Sequence, residues 1–450
     1  MNSSATKFFE FAFIRPSGDK FILAKVSEID YRTAKHIGPK IMANPAAEYD
    51  LLIIGGGLAG SALGRSMALA GFRVLIIEKE TKFRDRIRGE VLLPWGCVEA
   101  KDLGIYDILL ETCAHEARRE HFFYSGKPSE PRDFRTSTPK GTLTLSFYHP
   151  EMQEILLENA VHSGAEVWRG AMLAALRPGA LPEADIVVDD EVKIVRSRLV
   201  IGADGRESQI ATLLEFDRVK DPPELFTGGL QLAGNLQIEH ALYFFMHAIT
   251  GRGSILIQNK PGNFRVYLLH HKDALPRRLS GERDFAAVMK HFYEIGIPGE
   301  WLKDLSPHGI FATFDGAHRW ITNPTRGNCV LIGDAAAASD PVWGNGLSRT
   351  LRDVRLLRDW LLALRDWSRA ANAYAADHDD FFKRLRRAER LNATLHFSMG
   401  ERAESRRQRA FAMMDQHPEL NPDIAGLGPE ARCNDYVINT LLGEECSANA

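Results

Sequence analysis

Residues 51–80 read LLIIGGGLAGSALGRSMALAGFRVLIIEKE, and this stretch decides the fold. Four apolar residues, Leu51 to Ile54, run into a glycine turn. A helical pattern follows and closes near Gly71, and a second β-branched run from Val74 to Ile77 ends on Glu78. The spacing predicts one βαβ unit. Within it, Gly55-x-Gly57-x-x-Gly60 lies between strand and helix, and Glu78 stands at the end of the next strand, 18 positions beyond Gly60. Glycines at those places let the backbone approach a pyrophosphate, whose charge sits against the N–H groups and positive dipole of a helix N-terminus. An acid at the second strand's end can accept from a ribose hydroxyl. The ligand expected here is one half of a dinucleotide.

A second signature lies far downstream. GNCVLIGDAAAASDPVWGNGLSRTLRD, 327–353, carries an apolar strand into Gly333-Asp334, then small residues, a turn from Pro341 to Gly346, and a helix. Between the two signatures stand FRDRIRGEVLLPWG (83–96), YHPEMQEILLENAVHSGAEV (148–167) and GADGRES (202–208). Taken in this order, GGGLAG with Glu78, GADGRES and GDAAAASDPVWGNG resemble the flavoprotein monooxygenases of the p-hydroxybenzoate hydroxylase fold, over roughly residues 49–360. The resemblance implies FAD as cofactor and explains why one chain carries two such sites: an extended FAD needs one for its adenosine end and one for its flavin end.

By that likeness Asp334 holds the ribityl chain, Pro341 lies over the reactive edge of the ring, and Gly344, Asn345 and Gly346 offer backbone N–H groups to its pyrimidine side. Arg88, with Arg86 second, sits where the family carries an arginine reaching back to FAD. The family's R-x-x-L-x-x-x-L helix matches 148–167, but His149 holds the arginine position and Gln153 follows one turn on. Asp204 and Gly205 match a pair credited with FAD and NAD(P)H contacts. Ala211 stands where the family has an arginine, which weakens the expectation of direct NAD(P)H handling.

Composition agrees with a small-molecule enzyme. The 450 residues are 45% hydrophobic and 26% charged, with a formal net charge of -3, which gives no whole-protein field to draw in nucleic acid. Five scattered cysteines without CxxC or zinc-ligand spacing fit a reducing cytoplasm and no metal site. No apolar run reaches the roughly 20 residues needed to span a bilayer. The expected fold class is α/β: a Rossmann-like FAD-binding domain with an inserted β-sheet substrate domain and a helical C-terminal region. The expected boundaries are an N-terminal extension of unknown role (1–48), FAD-binding segments at 49–209 and 323–365, a β-rich substrate domain at 210–322 and C-terminal helices at 366–450. The tail from 365 to 410, dense in Arg, Asp and Glu, reads as a solvated helix face.

The substrate half offers Tyr243, His247, Tyr267, His270 and His271 with Phe244 and Phe245, an inventory suited to an aromatic or polycyclic ligand. Pro341, His247 and Tyr243 are the catalytic candidates, and Trp95 and Trp343 are expected to line the cavity. The function implied by the resemblance is hydroxylation or epoxidation of an electron-rich organic molecule by O2 through a C4a-hydroperoxyflavin, with NADH or NADPH as transient donor. The alternatives are a two-component oxygenase supplied by a separate flavin reductase, a flavin-dependent halogenase, a prenyl-chain flavin reductase of the geranylgeranyl type, or a flavin-binding protein without turnover. RGEVLLP and SDPVWGNG resemble halogenase segments, but the WxWxIP signature of that group is missing.

Overall fold

The structure, a computed structural model, describes residues 48–443 and, apart from these, the backbone of a short antiparallel pair, Phe13–Ile14 with Lys20–Phe21. The expected extension over 1–48 otherwise lies, up to residue 47, outside the described residues, as does Cys446.

The LLII run forms the strand Tyr49–Ile54 at the middle of a mostly parallel arrangement. It pairs in parallel with Val74–Glu78 on one side and with Glu191–Gly202 on the other. Glu166–Arg169 and Cys329–Leu331 extend the parallel set outward, while Glu183–Val188 and Met172–Arg177 add an antiparallel meander. Alternate residues of LLII enter different cores. Leu51 and Ile53 pack under helices, and Leu52 and Ile54 pack with the meander, all four nearly or fully buried. Burial on both faces is why the strand is uninterruptedly apolar.

Glycine sets the spacing of the first helix, Leu58–Leu69. A Cβ on Gly60 would lie 1.9 Å from the Gly55 carbonyl oxygen, and one on Gly64 would meet Ile76 at 2.5 Å. Only glycine lets this helix sit so close to its strands.

A second sheet stands apart from the first. Its order is Leu305–Asp315, Leu225–Gly234, Asn263–His271, Arg252–Lys260, Leu242–His247, Arg119–Tyr124 and Lys127–Pro128, with Arg132–Asp133 on the Arg119–Tyr124 edge. Residues 119–133, within the stretch expected on the cofactor side, therefore belong to this sheet: Arg119–Tyr124 pairs in parallel with Leu242–His247. The helices Phe285–Ile295 and Gly299–Lys303 cover one face through Val288, Phe292 and Trp301.

Downstream of the second signature, Gly346–Ala363 and Trp367–Phe397 pack together, followed by Glu401–Gln416 and Asp435–Leu442. The charged tail is not simply a solvated face. His378, Glu389 and Arg407 are almost wholly buried, each with a polar partner inside the protein. Among the described residues no helix is long and apolar enough to cross a membrane.

Candidate active site

A cavity of about 1030 Å³ runs from the glycine turn of the first sheet to the inner face of the second. The residues singled out in the sequence that line it include Gly55, Gly57, Glu78, Arg88, Gln153, Asp204, Asp334, Pro341, Gly344 and Gly346. Two segments almost 280 positions apart are thus brought to one chamber.

At one end Glu78, 7% exposed, is fixed by two backbone donors: Gly56 N–H to Oε2 and Glu80 N–H to Oε1, both at 2.8 Å. A carboxylate so held keeps its remaining lone pairs in fixed directions. Beside it the Leu58–Leu69 helix begins at Gly57 with no side-chain cap, so its first-turn N–H groups stay available to an anion. Gly60 does not reach the cavity; its part is the close helix packing described above.

The other end repeats this design. The Gly346–Ala363 helix opens at Asn345, again without a side-chain cap, and a Cβ on Gly346 would meet nothing within 4 Å. Gly344 has φ +67°, a conformation glycine adopts freely. Asn345 departs from expectation: its side chain is absent from the cavity wall and fully buried. Its Nδ2 donates to Glu389 Oε1 at 2.8 Å, and its Oδ1 accepts from Trp95 Nε1 at 3.0 Å. Trp95 is thereby turned into the packing rather than the chamber, whereas Trp343 lines it.

Between the ends, Asp334 does not cap a helix. Its Oδ1 accepts from Arg349 at 2.7 Å, and Arg349 also meets Asp353 at 3.3 Å. His149 donates from Nδ1 to the Gly89 carbonyl at 2.8 Å. Burial pushes its imidazole down to about 4, so at neutral pH the ring is uncharged and Nε2 remains as an acceptor. Arg88 lies on the wall and makes no ion pair among the described residues, while Arg86 is tied to Glu80. The segment bearing both is clamped to the second sheet: buried Arg265 bonds Glu90 at 3.0 Å and Asp85 at 2.7 Å, and Tyr267 Oη donates to the Arg88 carbonyl at 3.0 Å. Asp204 accepts from Gln209 N–H at 2.6 Å, and burial pushes its carboxyl up against the pull of Ser208 and those backbone donors. Its Oδ1 is buried with no partner among the described residues. Ala211 is 1% exposed in an apolar core, a position that offers an arginine no place.

The far wall is apolar, drawn from Leu242, Phe244, Ile255, Ile310 and Phe314. Tyr243 and His247, proposed from sequence as catalytic, are not on it. Strand alternation turns them to the opposite face of the sheet from Leu242 and Phe244. Tyr243 stacks on His121 at 4.8 Å and donates to the Glu239 carbonyl at 2.9 Å, and His247 bonds Thr250 at 3.0 Å. Of the three catalytic candidates only Pro341 faces the chamber.

The residues present fit FAD. Two uncapped helix N-termini, two carboxylates and a row of side-chain-free glycines are spaced along one chamber, which matches a cofactor with a pyrophosphate in its middle and a polar ring at one end. Sequence reasoning missed Arg349, Asp353, His318 and Glu389, which hold these groups from behind. Arg349 and Asp353, four apart on the helix after the turn, carried a usable signal; Glu389 in its charged tail did not.

Comparison with known proteins agrees. The model of a family described as FAD binding domain matches residues 48–377. Squalene monooxygenase SE1 of Panax ginseng is 27% identical over 383 residues, which span 80% of this chain and 67% of that protein. A 6-methylpretetramide 4-monooxygenase of Streptomyces rimosus is 26% identical over 392 residues, 83% of this chain and 90% of its own. The crystal structure of p-nitrophenol 4-monooxygenase from Pseudomonas putida superposes with a TM-score of 0.71, covering 88% of this chain and 99% of that one; at 16% identity the likeness is one of fold.

Proposed function

Because the chain belongs to the FAD binding domain family, we propose that it is an FAD-dependent monooxygenase that hydroxylates or epoxidises an electron-rich aromatic, polycyclic or alkene-bearing small molecule. The observation that carries this reading is the single chamber, with two open helix N-termini at its polar side and an apolar wall opposite. FAD, when bound, supplies the activation of O2 and the transfer of one oxygen atom; the protein supplies position and dryness.

In this reading Glu78 accepts from the adenosine ribose, and the Leu58–Leu69 N-terminus faces the pyrophosphate. Asp334 and the Nε2 of His149 accept from the ribityl hydroxyls. Arg88 and Gln153 close over the cofactor, and Pro341 to Gly346 edge the ring. Residues 49–209 without 119–133, together with 323–365, carry the cofactor, and 210–322 with 119–133 carry the substrate. No histidine stands on the apolar wall, and the Tyr267 hydroxyl is already donated to a carbonyl. The apolar wall therefore offers the substrate shape rather than a general base, which suits a neutral ring or alkene better than a phenol that must lose a proton.

NADH or NADPH is the electron donor in the first form of this reading. The buried Ala211 favours a second form, in which a separate reductase delivers the electrons. The buried free thiols of Cys97, Cys113 and Cys329 support a cytoplasmic setting.

The test is direct. Protein reconstituted with FAD is assayed with NADPH, then with an added flavin reductase, against aromatic and polyene substrates under ¹⁸O2. Tight FAD binding and one labelled oxygen in the product are expected. Failure to bind FAD, or a product free of label, overturns the reading.

A further inference from the structure

Asn is among the residues that best cap a helix by accepting from its own first-turn N–H groups. Asn345 precedes Gly346–Ala363 and does not do so: its backbone is already helical, at φ -79° and ψ -11°. Its amide is held away on both sides, the nitrogen by Glu389 and the oxygen by the Trp95 indole. Glu389 is 0% exposed on the Trp367–Phe397 helix, and its other oxygen takes His318 Nε2 at 2.7 Å. Around that pair stand Asp340, Asp221, Arg386 and the Phe382 ring. Glu389 lies beyond the residues matched by the family model, which end at 377.

We propose that Glu389 is a positioning residue which, by fixing the Asn345 amide together with Trp95, holds the turn so that the Gly346–Ala363 N-terminus stays open to the cofactor. The inference rests on the FAD reading of the chamber. With the amide tied down on both sides the helical backbone of Asn345 is held, no side chain takes the first-turn N–H groups, and they stay available to the flavin. His318 is the charge partner that makes a fully buried carboxylate tolerable at this place. The turn at the flavin edge is thus set by a helix that touches no ligand.

The test is a double-mutant cycle on FAD affinity, read by flavin fluorescence, with the visible circular dichroism of bound FAD as a second signal. Glu389→Ala leaves the Asn345 amide held by the Trp95 indole alone, so the turn loosens, and FAD should bind about tenfold more weakly with an altered visible dichroism. Asn345→Ala already lacks the amide that Glu389 holds, so adding it to Glu389→Ala should leave affinity at that of Asn345→Ala alone. Glu389→Gln keeps an acceptor for the Asn345 amide and should stay near wild type, which guards against a variant that merely folds badly. Unchanged affinity in Glu389→Ala, or a double variant weaker than either single one, overturns the inference while leaving the FAD reading intact. A wild-type protein that binds no FAD overturns both.

Discussion

Arg349, fully buried, donates to the cavity-facing carboxylate of Asp334 at 2.7 Å. The same guanidinium meets Asp353 at 3.3 Å, and Asp353 accepts from the Gly333 N–H at 2.9 Å and from His378 at 2.7 Å. The helix after the flavin-side turn therefore reaches back to fix both the side chain of Asp334 and the backbone just before it.

Replacing Arg349 should damage both the protein and its cofactor grip. Arg349→Met leaves two carboxylates without their shared cation, and breaking a buried pair costs about 3 to 5 kcal/mol. The melting temperature of the apoprotein should drop, and FAD affinity should fall with it. Arg349→Lys keeps the charge but not the two-pronged geometry, and recovers only part. Wild-type FAD affinity in Arg349→Met would show that Asp334 needs no support.

Glu78 and Asp334 should separate in a way that motif matching does not foresee. Each is expected to make a charge-assisted hydrogen bond worth about 1.5 to 3 kcal/mol, so alanine at either site should weaken FAD binding by about one to two decades. Asp334→Ala removes no backbone partner. Glu78→Ala strands the N–H groups of Gly56 and Glu80, while Asp334→Ala leaves buried Arg349 still paired with Asp353, so Glu78→Ala should be the earlier-melting of the two apoproteins. Equal melting of the two apoproteins would count against the two backbone bonds to Glu78.

The glycine turn and the two flanking strands were legible because each signal is local: an apolar run, three glycines at fixed spacing, an acid at a strand end. The face of the second sheet was not. LYFFMH, 242–247, is apolar at almost every position, so the two-residue period that tells inside from outside is missing. Arg119–Tyr124 was misplaced for a different reason. Its partner is about 120 residues away in sequence, and parallel pairing at that range leaves no mark on the sequence around it. In the tail, Glu389 and Arg407 look like any other charged residue of a solvated helix until packing shows what covers them.

That alternation makes a prediction about turnover. Tyr243→Phe deletes a hydroxyl whose partner is the Glu239 carbonyl, on the face away from the chamber. It should cost about 1 kcal/mol of stability and leave kcat/KM within about twofold. Phe244→Ala removes a ring from the chamber wall and should raise KM by about tenfold or more. Steady-state kinetics on any accepted substrate decides it, and a Tyr243→Phe enzyme that loses turnover would return the hydroxyl to the catalytic list.

Asp340, one residue before the cavity-lining Pro341, should make the apoprotein less stable as pH rises from about 4 to about 7. Burial pushes its carboxyl up to about 7, with Glu389 adding to the rise and His318, the Val342 N–H and Arg206 opposing it. The unfolded chain holds this group near its ordinary value of about 3.9. Between those two values the native state binds the proton and the unfolded state does not, so stability falls with each step of pH and stops falling above about 7. His318 acts in the same direction. Burial pulls its imidazolium down, but Glu389, Asp340 and Asp221 together hold it above its ordinary value, so its contribution is full at low pH and is lost as pH rises through that raised value. Asp340→Asn stays neutral throughout and still offers Val342 an acceptor. It should match wild type in thermal melts near pH 4, pull ahead as pH rises, and exceed it by about 2 °C or more at pH 8. If the two proteins instead melt together at pH 8, Asp340 carries its charge at no cost, and the carboxyl beneath the turn is not held up by burial at all.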